Sequence, residues 1–94
     1  MVKCSELINN FAYGDTTGKA SNLYIEGDVL ADYVTPIAFR TEFGIVLNKS
    51  KYSMTTSKNQ NLIRRTEMVV AELEEADFNK ALNKANPNWF YTYC

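Results

Sequence analysis

The chain has 94 residues, a net charge of -1 and no histidine. A chain of this length buries only about 60 to 65% of the surface that its unfolded form exposes, so the sequence predicts one domain, residues 1–94, with a modest core. The absence of histidine removes the commonest general base and the commonest metal ligand. Zinc sites and Ser-His or Cys-His catalytic pairs are therefore not expected.

The composition and the two ends of the chain favour a cytoplasmic protein. No apolar run reaches the about 18 residues that a membrane span needs, and the N-terminal segment lacks the apolar stretch of a signal peptide. Cys4 and Cys94 lie near opposite ends, which allows a disulfide between them. In a reducing cytosol we expect two free thiols instead.

The hydrophobic pattern begins with a short helix. Apolar residues at helical spacing predict it between Ser5 and Tyr13, with Ser5 as the N-cap, and Gly14 ends it. Residues 15–20 are polar and rich in turn formers, so they are interpreted as a loop.

A strand pattern follows from residue 22. Apolar and polar residues alternate on both sides of a turn at Gly27-Asp28, which predicts a hairpin, and Pro36 is expected at the start or edge of the third strand. Short connections favour antiparallel neighbours, so we expect a meander of three to five strands. The predicted strands are 22–26, 29–34, 37–41, 45–48 and a short last one at 51–54.

The stretch after residue 54 predicts a helix or a helix pair packed on one face of this sheet, which makes the fold α+β. The hydroxyl cluster at 55–57 is the expected N-cap, Asp77 is the expected cap of a second helical piece, and Pro87 ends it. The aromatic segment 89–93 is expected to pair as an edge strand or to pack across the sheet. The two predicted apolar stripes are Leu62, Val69, Leu73 and Ala76, and Phe78, Ala81, Leu82 and Ala85.

Charge is sorted along the second half of the chain. Five bases and no acid lie between Phe43 and Thr66, whereas five acids and no base lie from Glu67 to Asp77. If one helix carried both blocks, the acids would lie in its middle and later turns, where each exposed charge opposes the helix dipole by about 0.3 to 1 kcal/mol. The plain structural interpretation is a solvated helix surface on which Arg64 reaches Glu67.

Two functional interpretations of these blocks are open. An acidic helix face could dock on a basic partner such as a nucleic-acid-binding groove, or the basic segment 49–65 could bind a phosphate or a nucleic acid. The candidate residues of the acidic face are Glu67, Glu72, Glu74, Glu75 and Asp77. Those of the basic segment are Lys49, Lys51, Thr55, Thr56, Ser57, Lys58, Arg64 and Arg65.

Nothing in the sequence predicts an enzyme. The glycines are too dispersed for a nucleotide-binding loop, and no cofactor or metal site is expected. Three acids around the first hairpin, Glu26, Asp28 and Asp32, are interpreted as turn and edge-strand residues rather than as a hydrolytic pair.

Two segments resemble a family of small bacteriophage and prophage proteins. They are Gly18–Asp28, GKASNLYIEGD, and Lys51–Gln60, KYSMTTSKNQ, and the resemblance extends from about Gly18 to Arg65. It implies no activity by itself, but small phage accessory proteins are frequently inhibitors of host defence, anti-CRISPR proteins among them. Such inhibitors are often compact, non-enzymatic and acidic on the working face. The resemblance therefore implies a host protein or nucleoprotein as the partner, blocked by occlusion.

Overall fold

The computed structural model describes residues 3–32, 35–50 and 54–86, except the side chain of Thr55, and within these ranges it confirms the α+β class. The helices are α1 (Cys4–Ala12), α2 (Met54–Arg64) and α3 (Glu75–Ala85). The strands are β1 (Thr17–Ala20), β2 (Leu23–Glu26), β3 (Val29–Asp32), β4 (Thr35–Thr41), β5 (Gly44–Asn48) and β6 (Val69–Leu73). None of these helices has the length and hydrophobicity needed to cross a bilayer.

The six strands form one mixed sheet in chain order. Strands β1 to β5 are an antiparallel meander, as predicted for β2 to β5, and two-residue turns join them at 21–22, 27–28 and 42–43. Strand β6 pairs in parallel with β5, so the chain must cross over between them, and α2 is that crossover. Pro36 lies near the beginning of β4, which confirms its predicted place at a strand start.

Helices cover both faces of the sheet, so the prediction that the C-terminal helices share one face is wrong. Helices α1 and α2 pack over one face, where Phe11 and Ile63 join alternate strand residues in the larger core cluster. Helix α3 packs over the other face, where the ring centroids of Phe78 and Phe39 lie 5.4 Å apart. Because both of its faces are covered, β5 is buried from Ile45 to Asn48.

Two other predictions fail for identifiable reasons. Strand β1 was predicted as a loop because an exposed edge strand rich in threonine, glycine and lysine carries no apolar alternation. Strand β6 was predicted as helix, but α2 ends at Arg64, and Glu67 then adopts a left-handed φ of 59° that turns the chain into β6. The stripe from Leu62 to Ala76 is therefore divided among three elements.

The helix starts also differ from the prediction. Helix α2 begins at Met54, so the hydroxyl cluster lies inside its first turn, and α3 begins at Glu75 with Glu74 at the N-cap position. The α3 face is confirmed at Phe78, Ala81 and Leu82, although Ala85 is exposed. The predictions for residues 51–53, 89–93 and Cys94 lie outside the described ranges, whereas Cys4 is a half-buried free thiol.

Candidate functional site

The acidic block does not form one helix face. Glu67 lies in the turn after α2, Glu72 lies on β6, and Glu74 is the N-cap residue of α3. Glu75 and Asp77 lie in the first turn of α3, where negative charge stabilises a helix because it complements the dipole. The unfavourable interaction between these acids and the dipole of a single long helix therefore does not arise.

The basic and acidic blocks partly neutralise each other. Arg64 Nη2 lies 2.9 Å from Glu72 Oε1, which replaces the predicted contact with Glu67, and Lys49 Nζ lies 3.9 Å from Glu74 Oε1. These pairs are exposed, so each contributes only about 0 to 1 kcal/mol. Among the described bases of the segment, Lys58 and Arg65 remain exposed and form no ion pair.

The hydroxyl cluster of the predicted anion site is described at Thr56 and Ser57. Thr56 is buried and its Oγ1 donates a 2.9 Å hydrogen bond to Asp32 Oδ2, while Ser57 is half-buried. Lys51 and the side chain of Thr55 lie outside the described part of the chain. Asp32 is itself buried on the inner strand β3, so the edge-strand role predicted for it is wrong.

Helix α2 is held to the sheet by polar contacts. Its buried stripe consists of Thr56, Asn59, Gln60 and Ile63, at helical spacing. Gln60 Nε2 donates to the carbonyls of Asn48, at 2.6 Å, and Ser50, at 3.0 Å. Ser50 Oγ in turn accepts the Glu75 amide at 2.7 Å, which ties the start of α3 to the same junction. These polar groups serve the fold.

A surface groove that the sequence interpretation missed lies between the β4–β5 turn and the start of β6. Its volume is about 340 Å³. Phe43, at the tip of the turn, is 79% exposed, and Val70 is 54% exposed. The lining residues are Ala12, Arg40, Thr41, Glu42, Phe43, Gly44, Ile45, Glu67, Met68 and Val70.

The turn that carries Phe43 is held by hydrogen bonds. The Phe43 amide donates to Thr41 Oγ1 at 3.1 Å, and that hydroxyl donates to the Gly44 carbonyl at 3.0 Å. An exposed aromatic ring on a fixed turn loses less conformational entropy on binding than one on a mobile loop. Large aromatic residues are unusual in tight turns, so Phe43 was the one sign of this site in the sequence.

A β-bulge presents Val70 to the groove. The register between β5 and β6 pairs Ile45 with Val69 and Val46 with Ala71, so Val70 has no partner of its own in the ladder. This shift lets Val69 reach the core under α1 and α2 while Ala71 reaches the core under α3. Bulges re-aim side chains in this way, and here the re-aimed residue is an exposed valine.

Two residues that line the groove have unusual backbone conformations. Gly44 has a φ of 138°, and a Cβ at this position would lie 2.6 Å from both the Met68 carbonyl oxygen and Val70 Cγ1. Glu67 has a φ of 59°, which costs about 1 to 2 kcal/mol for a residue other than glycine. Such strain tends to collect at functional sites.

The groove rim is acidic. Arg40 is the one base among the described residues that line it, and its guanidinium already binds Asp28 Oδ1 at 3.0 Å and backbone carbonyls. Glu42 and Glu67 are exposed, and neither forms an ion pair within the described residues. The rim therefore carries negative charge that no base in the described part of the chain compensates by an ion pair.

Comparisons with known proteins give this chain no relatives. No family model matches it, and neither a curated protein nor a solved structure is significantly similar to it. The shape and charge of the groove are therefore the structural features that bear on function.

Proposed function

We propose that the chain is a non-enzymatic protein-binding module whose docking surface is the groove patch, defined as Glu42, Phe43, Glu67, Met68 and Val70. The observation that carries the proposal is Phe43, a 79% exposed aromatic residue that lines the groove and is presented by a hydrogen-bonded turn. Aromatic anchors beside a pocket dominate the energetics of many protein interfaces.

The charge of the patch favours a protein partner over a nucleic acid. Glu42 and Glu67 would repel phosphates, whose neutralisation by lysine and arginine supplies most of the affinity of nucleic-acid binders. A basic protein surface with apolar side chains complements the same patch. The partner we propose therefore presents basic residues around an apolar contact.

The resemblance to phage proteins suggests which basic proteins to test. Host defence nucleoproteins carry basic channels for nucleic acid, and a module that covered such a channel would inhibit by occlusion. We therefore propose an inhibitor of this kind, of the anti-CRISPR type, in which Glu67 and the groove take the place of the expected acidic helix face.

The test compares two exposed apolar residues. Phe43→Ala removes the anchor, whereas Met54→Ala truncates a residue that is 90% exposed at the start of α2 and does not line the groove. Candidate partners are captured from nuclease-treated host lysate and purified. The dissociation constant between the purified partner and each variant is then measured. We expect Phe43→Ala to weaken binding by about 30-fold or more, because hot-spot truncations cost about 2 kcal/mol or more.

Met54→Ala is expected to bind the partner with the affinity of the native chain. As a folding control, both variants must have the same midpoint of urea unfolding as the native chain. Equal binding by the two variants would overturn the proposal. Binding to oligonucleotides that falls steeply with salt and is lost on replacing Lys58 and Arg65 would instead support the basic segment as a nucleic-acid site.

A further inference from the structure

We propose that the groove receives a single cationic side chain of the partner, arginine in preference to lysine. This inference deepens the proposed function and rests on it. The groove has two chemical zones, an apolar wall and an acidic rim, and a side chain with a long methylene stem and a charged head complements both.

The stem would lie along the apolar wall. Ala12, Ile45, Met68 and Val70 all line the groove, and the Gly44 backbone leaves room for Val70 to approach. The volume of about 340 Å³ lies at the lower end of the range for small-ligand sites. Methylene groups bury well against such a wall while the charged head stays at the mouth.

The charged head would lie between the Phe43 ring and the two rim carboxylates. A cation within about 6 Å of an aromatic face is attracted by the ring, and a planar guanidinium can also bind a carboxylate through two hydrogen bonds. Arg40 cannot play this part, because its side chain is only 12% exposed and its donors already serve Asp28 and three carbonyls. The cation must therefore come from outside the described residues.

Two other occupants fit less well. A purely apolar side chain would desolvate Glu42 and Glu67 without replacing the lost interactions with water. A second copy of the chain would place the same two acids opposite each other across a two-fold axis, where like charges repel. The uncompensated rim thus discriminates among partners by charge.

The experiment titrates the full isotope-labelled chain with Nα-acetyl-arginine amide and Nα-acetyl-norleucine amide, and follows backbone amide shifts by NMR. Norleucine keeps the stem and lacks the head. We expect the arginine probe to bind saturably in the millimolar range, with shifts at Phe43, Gly44 and 67–70, and the norleucine probe to bind about 10-fold more weakly.

Charge-removing variants locate the head. Glu42→Gln and Glu67→Gln should each weaken the arginine probe about 2- to 5-fold, as expected for exposed ion pairs, and Glu75→Gln on α3 should not. Equal binding of both probes, unchanged binding in the double glutamine variant, or no shift with the arginine probe would each overturn the inference. The Phe43→Ala measurement with the purified partner decides the proposed function separately, because it does not depend on which side chain enters the groove.

Discussion

The guanidinium carbon of Arg40 lies 4.7 Å from the centroid of the Phe11 ring, and Arg40 Nη1 donates a 2.6 Å hydrogen bond to the Phe11 carbonyl. The same side chain reaches the carbonyls of Asp15 and Gly27, each at 2.8 Å, and the carboxylate of Asp28. Arg40 on β4 therefore joins the end of α1 to the β2–β3 turn. Carbonyls at a helix end lack partners within the helix, and Arg40 supplies one.

Arg40→Lys should destabilise the fold although the charge is kept. A lysine ammonium cannot reproduce the planar fork that reaches four acceptors and stacks on the ring. We expect a loss of about 2 to 4 kcal/mol in the free energy of unfolding, measured in urea. Arg65→Lys, at an exposed position, should change it by less than about 0.5 kcal/mol. A similarly small effect of Arg40→Lys would show that the fork geometry is unimportant.

Gly44→Ala should damage both the fold and the groove. Its Cβ would meet the Met68 carbonyl and Val70 at 2.6 Å, in addition to the strain of a positive φ. Gly14→Ala is the matched control, because Gly14 has a φ of 115° but open space around its Cβ position. We expect Gly14→Ala to cost about 1 to 3 kcal/mol and Gly44→Ala to cost clearly more, by thermal or urea unfolding. Equal losses in the two variants would show that β6 can move away from the added methyl group without loss of stability.

Glu67→Gly should stabilise the chain while weakening its binding. Glycine adopts the φ of 59° without steric cost, so we expect a gain of up to about 1 kcal/mol after the entropy of the unfolded glycine is counted. The same change removes a rim carboxylate, so the partner should bind more weakly. Urea unfolding and the dissociation constant are measured on one preparation. A variant that is less stable than the native chain would show that Glu67 stabilises the turn by contacts.

Thr56→Val should loosen α2. It removes the hydroxyl that donates to the buried Asp32 carboxylate and keeps the shape of the side chain. We expect a loss of about 1.5 to 3 kcal/mol, because hydrogen bonds to charged groups are strong and the carboxylate stays buried. Thr17→Val, exposed on β1, is the control. Faster hydrogen exchange of the α2 amides would locate the effect, and unchanged exchange would contradict it.

Reversing the two acids in the first turn of α3 should affect stability but not binding. Glu75→Lys combined with Asp77→Lys opposes the helix dipole and should cost about 1 to 2 kcal/mol. Glu67→Lys should instead abolish binding to the partner, since it reverses the charge at the groove rim. Titration of the purified partner separates the two cases. If the α3 variant folds but no longer binds the partner, the start of α3 belongs to the docking surface.

The first half of the fold follows from local sequence patterns, whereas β6 does not. Alternation and turn residues predict the strands on both sides of Gly27-Asp28 because a two-residue turn makes the strands that it joins antiparallel neighbours. Val69 and Leu73 have the i, i+4 spacing of a helix face, with Glu72 between them and Glu74 directly after them. Glutamate is rarely left-handed, so Glu67 gives no sign that a helix ends before it.

The groove could be predicted only in part. Phe43 in a tight turn is visible in the sequence as an aromatic residue in a position that favours small or polar ones. The other wall comes from Glu67, Met68 and Val70, which reach the turn only because β6 adds in parallel beside β5. The charge blocks were visible too, but their mutual pairing through Arg64 and Glu72 depends on the same strand.

The parallel placement of β6 has a consequence for the order of folding. The hairpins from β1 to β5 bring together neighbours in the chain, whereas β6 must wait for α2 to cross the sheet, and long-range pairings form slowly. We therefore expect one wall of the groove to form in an early hairpin and the other with β6, the last strand to join. We expect the docking surface to exist only on completely folded molecules, so that a bound partner would protect β6 against opening.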